Sequence, residues 1–372
     1  MTIVLPSIAR FALLSLSVVP LLTTSFQPTF NIARKNFISP SSLEVMSDSS
    51  SSATTSSLNH IKGVQNIADS YSIFLLDMWG VMHNGSEPYE GVIDNVKKLR
   101  ESGKQLIILS NSSKRLSNSI KMLKKLGFDP DQDFDQIITS GDVSHRMLSG
   151  DTTLKCSTWD ILQNLLSTGR KNVFVFGSGD GDEEYCTSSG WKLSSIDDAD
   201  LIIARGTFTI NDGSGQIVSK DENEEEYFNV LEKTLEQASK RKVPMLVTNP
   251  DKVRPDKGLP PMPGAIGDAY EKYLGSDSNQ FVKRIGKPYS EVYELALNQC
   301  SDTSAAVMVG DALETDITGG MWCNIDTLWV VDDGIHSSFV EENGKENYED
   351  NVEAALEDFN NNKHSKMFIY LA

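Results

Sequence analysis

Cysteines are few in this sequence, and no two of them have the spacing of a metal-binding or redox pair. The four cysteines lie at positions 156, 186, 300 and 323 of 372 residues. This separation excludes a zinc ribbon and a dense disulfide framework, so we expect reduced thiols. A local basic stripe is also lacking, and the formal net charge is −18. Because that charge repels a polyphosphate backbone, the composition disfavours a nucleic-acid partner.

Acidic residues are absent from the first 43 positions, a stretch that contains three basic residues. Its apolar run at residues 8–22 is broken by polar residues and a proline, and it is too short for a permanent membrane span. Such a run is typical of a signal peptide. From Phe26 an acid-free, basic and serine-containing stretch resembles a plastid transit peptide. We therefore expect a targeting presequence at residues 1–42 and a plastid location, with the mitochondrion or the secretory pathway as the alternative.

A serine-rich segment follows, and residues 43–59 are predicted to be a disordered linker because they cannot bury enough apolar surface. The remaining length favours two packed units over one core. In it, apolar runs of strand length alternate with amphipathic segments, which indicates an α/β fold with a parallel sheet. The predicted strands are residues 72–77, 105–110, 305–311 and 327–331, with helices at 91–101 and around Leu116, Ile120 and Leu123.

A long stretch between the second and third of these strands has strands and helices of its own. Strands are predicted at 172–176, 201–204 and 244–248, and helices at 159–166 and 224–238. This is enough for an inserted α/β domain. The predicted boundaries are 60–142 for the first part of the core, 143–282 for the insertion and 283–372 for the second part of the core.

Polar side chains follow three of the buried strands, where ligands bind in open α/β sheets. Asp77 ends the first strand before a glycine-bearing turn, which suits a nucleophile or a metal ligand. Ser110 and Asn111 end the next strand, and we expect a helix to start directly after them, where backbone N–H groups accept an anion. Phosphate is the natural ligand for such a position.

Two later segments add a cation and two carboxylates. Lys287 precedes Pro288, which we place in the first turn of a helix, so that Lys287 points at the site. Asp311 and Asp316 follow another buried strand. Hard carboxylate oxygens without nearby Cys or His ligands favour Mg²⁺.

The motifs D-x-x-G-V at 77–81, L-S-N at 109–111, G-K-P at 286–288 and G-D-x-x-x-T-D at 310–316 occur in this order. Together they resemble the haloacid dehalogenase-like superfamily of phosphohydrolases over about residues 60–340. The resemblance implies a doubly wound, Rossmann-like core with an inserted class II cap. Segments 248–251 and 263–265 resemble the class IIA branch of 4-nitrophenyl-phosphatase, phosphoglycolate and pyridoxal-phosphate phosphatases. D-x-W-G-V-x-H-x-G at 77–85, with D-G-I-H at 333–336, resembles one subgroup of it.

This resemblance assigns roles. Asp77 would attack phosphorus and form an aspartyl-phosphate. Ser110, Asn111 and Lys287 would hold the phosphoryl oxygens, and Asp77, the main-chain carbonyl of Trp79 and Asp311 would bind Mg²⁺. Asp316 would orient Lys287 or support the metal without ligating it. The partner that the resemblance implies is a small phosphorylated metabolite. Assembly into a homo-oligomer also stays open.

One position departs from the family pattern. Its phosphatases usually carry a second Asp two residues after the nucleophile as the general acid–base, and here that residue is Trp79. Losing such a group typically costs about 10²–10⁴-fold in rate. His83 is the nearest side chain that could shuttle protons, and a loop-capping hydrogen bond is its alternative role. Trp79 itself either stacks on substrate or fills the core.

Asp251 and Arg254, in the insertion, either contact the non-phosphate part of the substrate or form a surface turn. Two functions therefore stay open. The first is a Mg²⁺-dependent phosphatase or phosphotransferase, impaired or specialised by Trp79. The second is a weakened phosphometabolite-binding or regulatory protein. A dehalogenase also dispenses with the second Asp. Ser110, Lys287 and Asp311, however, suit phosphate chemistry better than dehalogenation.

Overall fold

The structure is a computed structural model. It describes residues 2–5, 59–61, 63–154, 159–179, 181–254, 258, 260–298, 300, 302–331, 334–337, 351–352, 354–356 and 359. Most of the predicted presequence and linker therefore lies outside the described residues, as does Cys156. Cys186, Cys300 and Cys323 are free thiols. No helix in the described ranges combines the length and the apolar character needed to cross a membrane.

The described residues form two sheets. Their strands are β1 Thr2–Leu5, β2 Asn59–His60, β3 Ile73–Leu76, β4 Gln105–Ser110, β5 Gln136–Thr139, β6 Asn172–Gly177, β7 Lys192–Leu193, β8 Leu201–Ala204, β9 Thr209–Asn211, β10 Ile217–Ser219, β11 Met245–Val247, β12 Val282–Arg284, β13 Ala306–Gly310 and β14 Asp326–Val330.

The helices lie between these strands and cover the sheets. They are α1 Val92–Glu101, α2 Leu116–Lys125, α3 Pro130–Asp133, α4 Ser140–Leu148, α5 Asp160–Thr168, α6 Asp182–Ser188, α7 Glu224–Arg241, α8 Pro263–Leu274, α9 Ser278–Phe281, α10 Ser290–Leu297 and α11 Thr318–Trp322. Residues 313–317 add one turn of π-helix directly before α11.

The first sheet is parallel throughout, in the order β2-β1-β14-β13-β3-β4-β5. Every residue of β3 and β13 is buried, as expected for a parallel sheet covered on both faces. The second sheet has the order β10-β9-β6-β8-β11-β12, with β7 beside β6. This parallel-sheet core with a second α/β unit confirms the predicted fold class.

The second sheet is built from residues between Asn172 and Arg284. Its strand β12, Val282–Arg284, straddles the predicted domain boundary at residue 282. At the other end of the chain, β1 lies between β14 and β2, with Thr2 opposite Thr327 and Leu5 opposite Val330. These N-terminal residues, which we assigned to a presequence, therefore take part in the core sheet of this structure.

Apolar packing joins the two units. Ile73 and Leu75 of β3 belong to one continuous buried cluster with Trp159 and Trp191 of the second unit. The intervening residues Phe74 and Leu76 pack on the opposite face of the first sheet. Alternation along β3 thus turns one face of the core sheet toward the buried cluster that the two units share. This packing holds the loops of the second sheet near the carboxyl edge of the first.

Candidate active site

Strand ends from both sheets contribute to one cluster of polar side chains. Asp77 directly follows β3, and Asp311 directly follows β13. Lys287 lies three residues after β12, and Asp251 lies four residues after β11. The site thus forms at the carboxyl edge of the core sheet, as expected for an open parallel sheet, but the second sheet supplies part of it.

A buried lysine lies between two carboxylates. Lys287 Nζ is 2.5 Å from Asp77 Oδ1 and 2.7 Å from Asp316 Oδ1. The Lys287 side chain is only 2% exposed. Burial lowers the pKa of Lys287, but Asp316 and Asp77 outweigh this and hold it above its usual value. Lys287 therefore stays a cation that faces the Asp77 carboxylate.

The helix after Lys287 begins later than predicted. α10 starts at Ser290, so Pro288 precedes the helix instead of lying in its first turn. The Lys287–Pro288 peptide bond is cis. The helix that we expected directly after Ser110 and Asn111 also begins later than predicted. α2 begins at Leu116, so residues 111–115 form a loop between Ser110 and the helix. Ser110 Oγ accepts a hydrogen bond from Ser112 N at 3.3 Å within this loop.

Three carboxylates converge beside Lys287. Oxygens of Asp77, Asp311 and Asp316 all lie within 4.8 Å of one another. Burial, followed by the nearby Asp77 and Asp316 charges, raises the pKa of Asp311 well above its usual value. Burial also raises the pKa of Asp316 to about 7, although Lys287 opposes the shift. One lysine does not balance the charge of three carboxylates, so this oxygen-only donor set fits a divalent cation such as Mg²⁺.

The backbone around Asp311 leaves no room for larger residues. Gly80 has φ +83°, and a Cβ there would lie 2.3 Å from Asp311 Oδ2. The N–H of Ile335 donates to the same oxygen at 3.0 Å. Ile335 belongs to the D-G-I-H segment that the sequence singled out without a role, and its N–H helps to position the Asp311 carboxylate.

Asn111 connects Lys287 to the second unit. Its Oδ1 accepts from Lys287 N at 2.7 Å, and its Nδ2 donates to Lys287 O at 3.0 Å. The same Nδ2 also donates to Asp251 Oδ1 at 2.8 Å. Burial raises the pKa of Asp251 to about 6, although Lys287 lowers it. The Asn111 amide, predicted to bind phosphate, thus makes its hydrogen bonds to protein groups in this structure.

Trp79 and Arg254 form a contact between the two units. The Arg254 guanidinium carbon lies 5.5 Å from the centroid of the half-buried Trp79 ring, within the range of a cation–π contact. Residues 111 and 251, like 79 and 254, are far apart in sequence. Local sequence patterns gave no signal for either contact. Only the chain order of the family motifs pointed to the segment that contains Asp251 and Arg254.

His83 lies in the loop after Asp77 and is 1% exposed. Its Nδ1 accepts a hydrogen bond from Gly85 N at 2.9 Å, so the neutral ring carries its proton on Nε2. Burial lowers the pKa of His83, although the Asp77 charge opposes the shift. Taking up a proton at Nε2 would require a tautomer that loses the Gly85 bond. This geometry favours the loop-capping role over the proton shuttle.

Known proteins resemble this chain in sequence and in fold. A family model described as haloacid dehalogenase-like hydrolase matches residues 74–192, and a HAD-hydrolase-like model matches residues 284–358. The 4-nitrophenylphosphatase of Schizosaccharomyces pombe is 26% identical over 266 residues, which are 70% of this chain and 83% of that protein. Phosphoglycolate phosphatase 2 of Arabidopsis thaliana is 24% identical over 275 residues, 72% of this chain and 85% of that protein.

A solved hydrolase of the haloacid dehalogenase-like family from Brucella suis 1330 has the same fold. The two structures superpose with a TM-score of 0.56 at 22% identity, covering 76% of this chain and 93% of the other. The named sequence relatives are phosphatases, which supports phosphatase activity here. The chain therefore belongs to the haloacid dehalogenase-like superfamily, within its capped branch of 4-nitrophenylphosphatase-like proteins.

Proposed function

We propose that this protein is a Mg²⁺-dependent phosphatase or phosphotransferase that acts on a small phosphorylated metabolite through an aspartyl-phosphate on Asp77. The observation that supports this most is the 2.5 Å contact between Lys287 Nζ and Asp77 Oδ1 at the edge of a three-carboxylate cluster. A phosphoryl group placed there would meet a nucleophile and a fixed cation together. The phosphatase names of the relatives agree with this chemistry.

In the proposed reaction, an oxygen of Asp77 forms a bond to phosphorus while the bond from phosphorus to the leaving-group oxygen breaks. Lys287 and Ser110 stabilise the phosphoryl oxygens. Asp77, Asp311 and the main-chain carbonyl of Trp79 would hold Mg²⁺, which neutralises negative charge on the phosphoryl group when bound. Asp316 keeps Lys287 in place through the 2.7 Å ion pair. Water then hydrolyses the aspartyl-phosphate and releases phosphate.

Trp79 removes the usual acid–base from its position, which is why a second function stays in view. A chain without any proton donor would bind a phosphorylated metabolite and turn it over slowly, as a regulatory protein would. The dependence of turnover on the leaving group separates the two functions. The rate falls steeply with increasing leaving-group pKa where no residue supplies a proton, and only weakly where one does.

The test uses the full chain with 4-nitrophenyl phosphate and Mg²⁺. We expect hydrolysis that EDTA abolishes, and a phosphorylated Asp77 that rapid acid quench and mass spectrometry detect. Asp77→Asn, of nearly identical shape, should lose both signals. Hydrolysis that survives in Asp77→Asn would overturn the proposed nucleophile. Metabolite binding without any turnover would favour the regulatory alternative.

A further inference from the structure

The geometry points to Asp251, on the loop that follows β11 of the second sheet, as the residue that donates a proton to the leaving group in place of the acid that Trp79 displaces. This inference rests on the proposed phosphoryl transfer at Asp77. It gives a catalytic role to a residue that the sequence left as either a substrate contact or a surface turn.

The position of Asp251 is fixed from the core. Asn111 Nδ2 holds Asp251 Oδ1 at 2.8 Å, and the same side chain binds both the N–H and the carbonyl of Lys287. The Asn111 amide is only 4% exposed. Because Lys287 Nζ in turn contacts Asp77, one short chain of contacts links the Asp251 carboxyl to the nucleophile.

The loop that carries Asp251 is anchored at three further points. Asn249 Oδ1 accepts from Asp251 N at 2.8 Å, which shapes the turn itself. The carbonyl of Thr248 accepts from Ser140 Oγ of the core at 2.6 Å. Farther along the loop, Arg254 lies over the Trp79 ring. Trp79, which stands at the position of the usual acid, thus contacts the loop that carries the Asp251 carboxyl.

The charges around Asp251 suit a group that alternates between acid and base. Burial, together with the Asp77 and Glu314 charges, favours the protonated acid, whereas Lys287 and the Asn111 hydrogen bond favour the carboxylate. The net result is a pKa of about 6, raised from 3.8. A general acid works best when its pKa lies near the working pH. His83 does not compete for this role, because its Nδ1 is committed to Gly85.

The proposed step balances in protons and bonds. As Asp77 attacks phosphorus, the protonated Asp251 gives its proton to the departing oxygen, so that a neutral alcohol leaves and Asp251 becomes a carboxylate. In the second half, this carboxylate takes a proton from water while the water oxygen bonds to phosphorus and the bond from phosphorus to Asp77 breaks. Phosphate leaves, and both aspartates return to their starting states.

The experiment measures kcat/KM for substituted phenyl phosphates, which share a shape and differ in the basicity of the leaving group. The wild type should show a shallow dependence on leaving-group pKa. Asp251→Asn keeps an oxygen that can accept from Asn111, so it tests the proton without removing the hydrogen bond. We expect Asp251→Asn to lose about 10²-fold or more with phenyl phosphate and less than about tenfold with 4-nitrophenyl phosphate.

Two variants provide the controls. Asp221→Asn alters an exposed carboxyl of the second unit and should match the wild type. Asp251→Glu should restore part of the phenyl phosphate activity. If Asp251→Asn folds poorly, the pH profile of the wild type decides, because phenyl phosphate turnover should decline relative to 4-nitrophenyl phosphate as Asp251 loses its proton. Equal losses with all substrates, or no loss, would overturn the role of Asp251. A wild type that hydrolyses none of them would instead overturn the proposed function.

Discussion

Lys287 Nζ lies 2.7 Å from Asp316 Oδ1, and both side chains are at least 98% buried, with exposed fractions of 2% and 1%. Burying one charge without a partner costs far more than burying a pair. The pair therefore explains how a lysine remains charged beneath the Asp77 carboxylate. It also makes the stability of the core depend on the site, since Lys287 contacts the carboxylates of both Asp77 and Asp316.

Replacing Lys287 should reveal this dependence. Lys287→Met keeps much of the side-chain length and leaves the carboxylates without their cation. We expect the free energy of unfolding at neutral pH to fall by about 3–5 kcal/mol, measured by urea denaturation. The matched control is Lys240→Met, which breaks a surface pair with Glu236 whose side chains are 70% and 55% exposed. The control should lose far less stability than Lys287→Met, because water screens the charges of an exposed pair. Equal losses in both variants would contradict the buried-pair explanation.

Mg²⁺ binding should depend on Asp311 and not on the indole of Trp79. Asp311→Asn keeps an oxygen for the Ile335 N–H but removes the charge, so calorimetric titration should show no Mg²⁺ binding. Trp79→Phe retains the main-chain carbonyl and should bind Mg²⁺ as the wild type does. A wild type that binds no Mg²⁺ with a phosphate analogue present, or an Asp311→Asn variant that binds it equally well, would show that the metal site is wrong.

Substitution of Gly80 should impair Mg²⁺ binding as strongly as substitution of the neighbouring Asp311 does. Gly80→Ala combines a left-handed φ of +83° with a Cβ only 2.3 Å from Asp311 Oδ2, so the Asp311 side chain must move. We expect loss of Mg²⁺ binding as well as of stability. Gly103→Ala provides the matched control, because its φ is +74° and no atom lies within 4 Å of the added Cβ. It should lose about 1 kcal/mol of stability and keep Mg²⁺ binding. Identical effects in both variants would remove the steric argument.

The sequence predicted the central strands well because of how they are buried. β3, β4, β13 and β14 are covered on both faces, which makes them continuous apolar runs that stand out without any alignment. β10 and β12 are three residues long, and β12 contains two basic residues. Such short strands show no periodic pattern in the sequence. They are defined only by their hydrogen bonds to neighbouring strands.

The positions of some site residues could be predicted from the sequence, and those of others could not. Asp77 and Asp311 belong to the first group, because each directly follows a buried strand that the sequence pattern reveals. The contacts of Asn111 with Asp251 and of Arg254 with Trp79 depend on how the second unit packs on the first. No local pattern encodes that packing, so the sequence could name Asp251 and Arg254 without deciding what they touch.

The N-terminus allows a direct test of processing. If a presequence is removed, the mature protein should start between about Phe26 and Ser57, which N-terminal sequencing of native protein determines. Removal would also take β1 from between β14 and β2 and leave β14 without that neighbour. Recovery of a native chain that begins at Met1 would contradict the presequence. A tagged protein found only in mitochondria would contradict the plastid location.

His145 should make the protein less stable as the pH falls. It lies in α4 at 6% exposure, with Nε2 2.8 Å from Ser188 Oγ of α6. Burial, followed by the nearby Arg115 charge, lowers its pKa from 6.5 to about 4. A histidine whose folded pKa is depressed contributes its full stability above the unfolded pKa and loses it as the pH falls toward the folded value.

The difference between 6.5 and about 4 corresponds to about 3 kcal/mol, which should disappear between these two pH values. Urea denaturation at several pH values measures it in the wild type and in His145→Gln. Gln can still bond to Ser188 but does not titrate, so its stability should fall by less over the same range. All other titratable groups are common to both proteins. The gap between their free energies of unfolding should therefore change with pH only because His145 titrates. A gap that stays constant from pH 7 to pH 4 would show that His145 is charged in the folded protein or is not buried between α4 and α6.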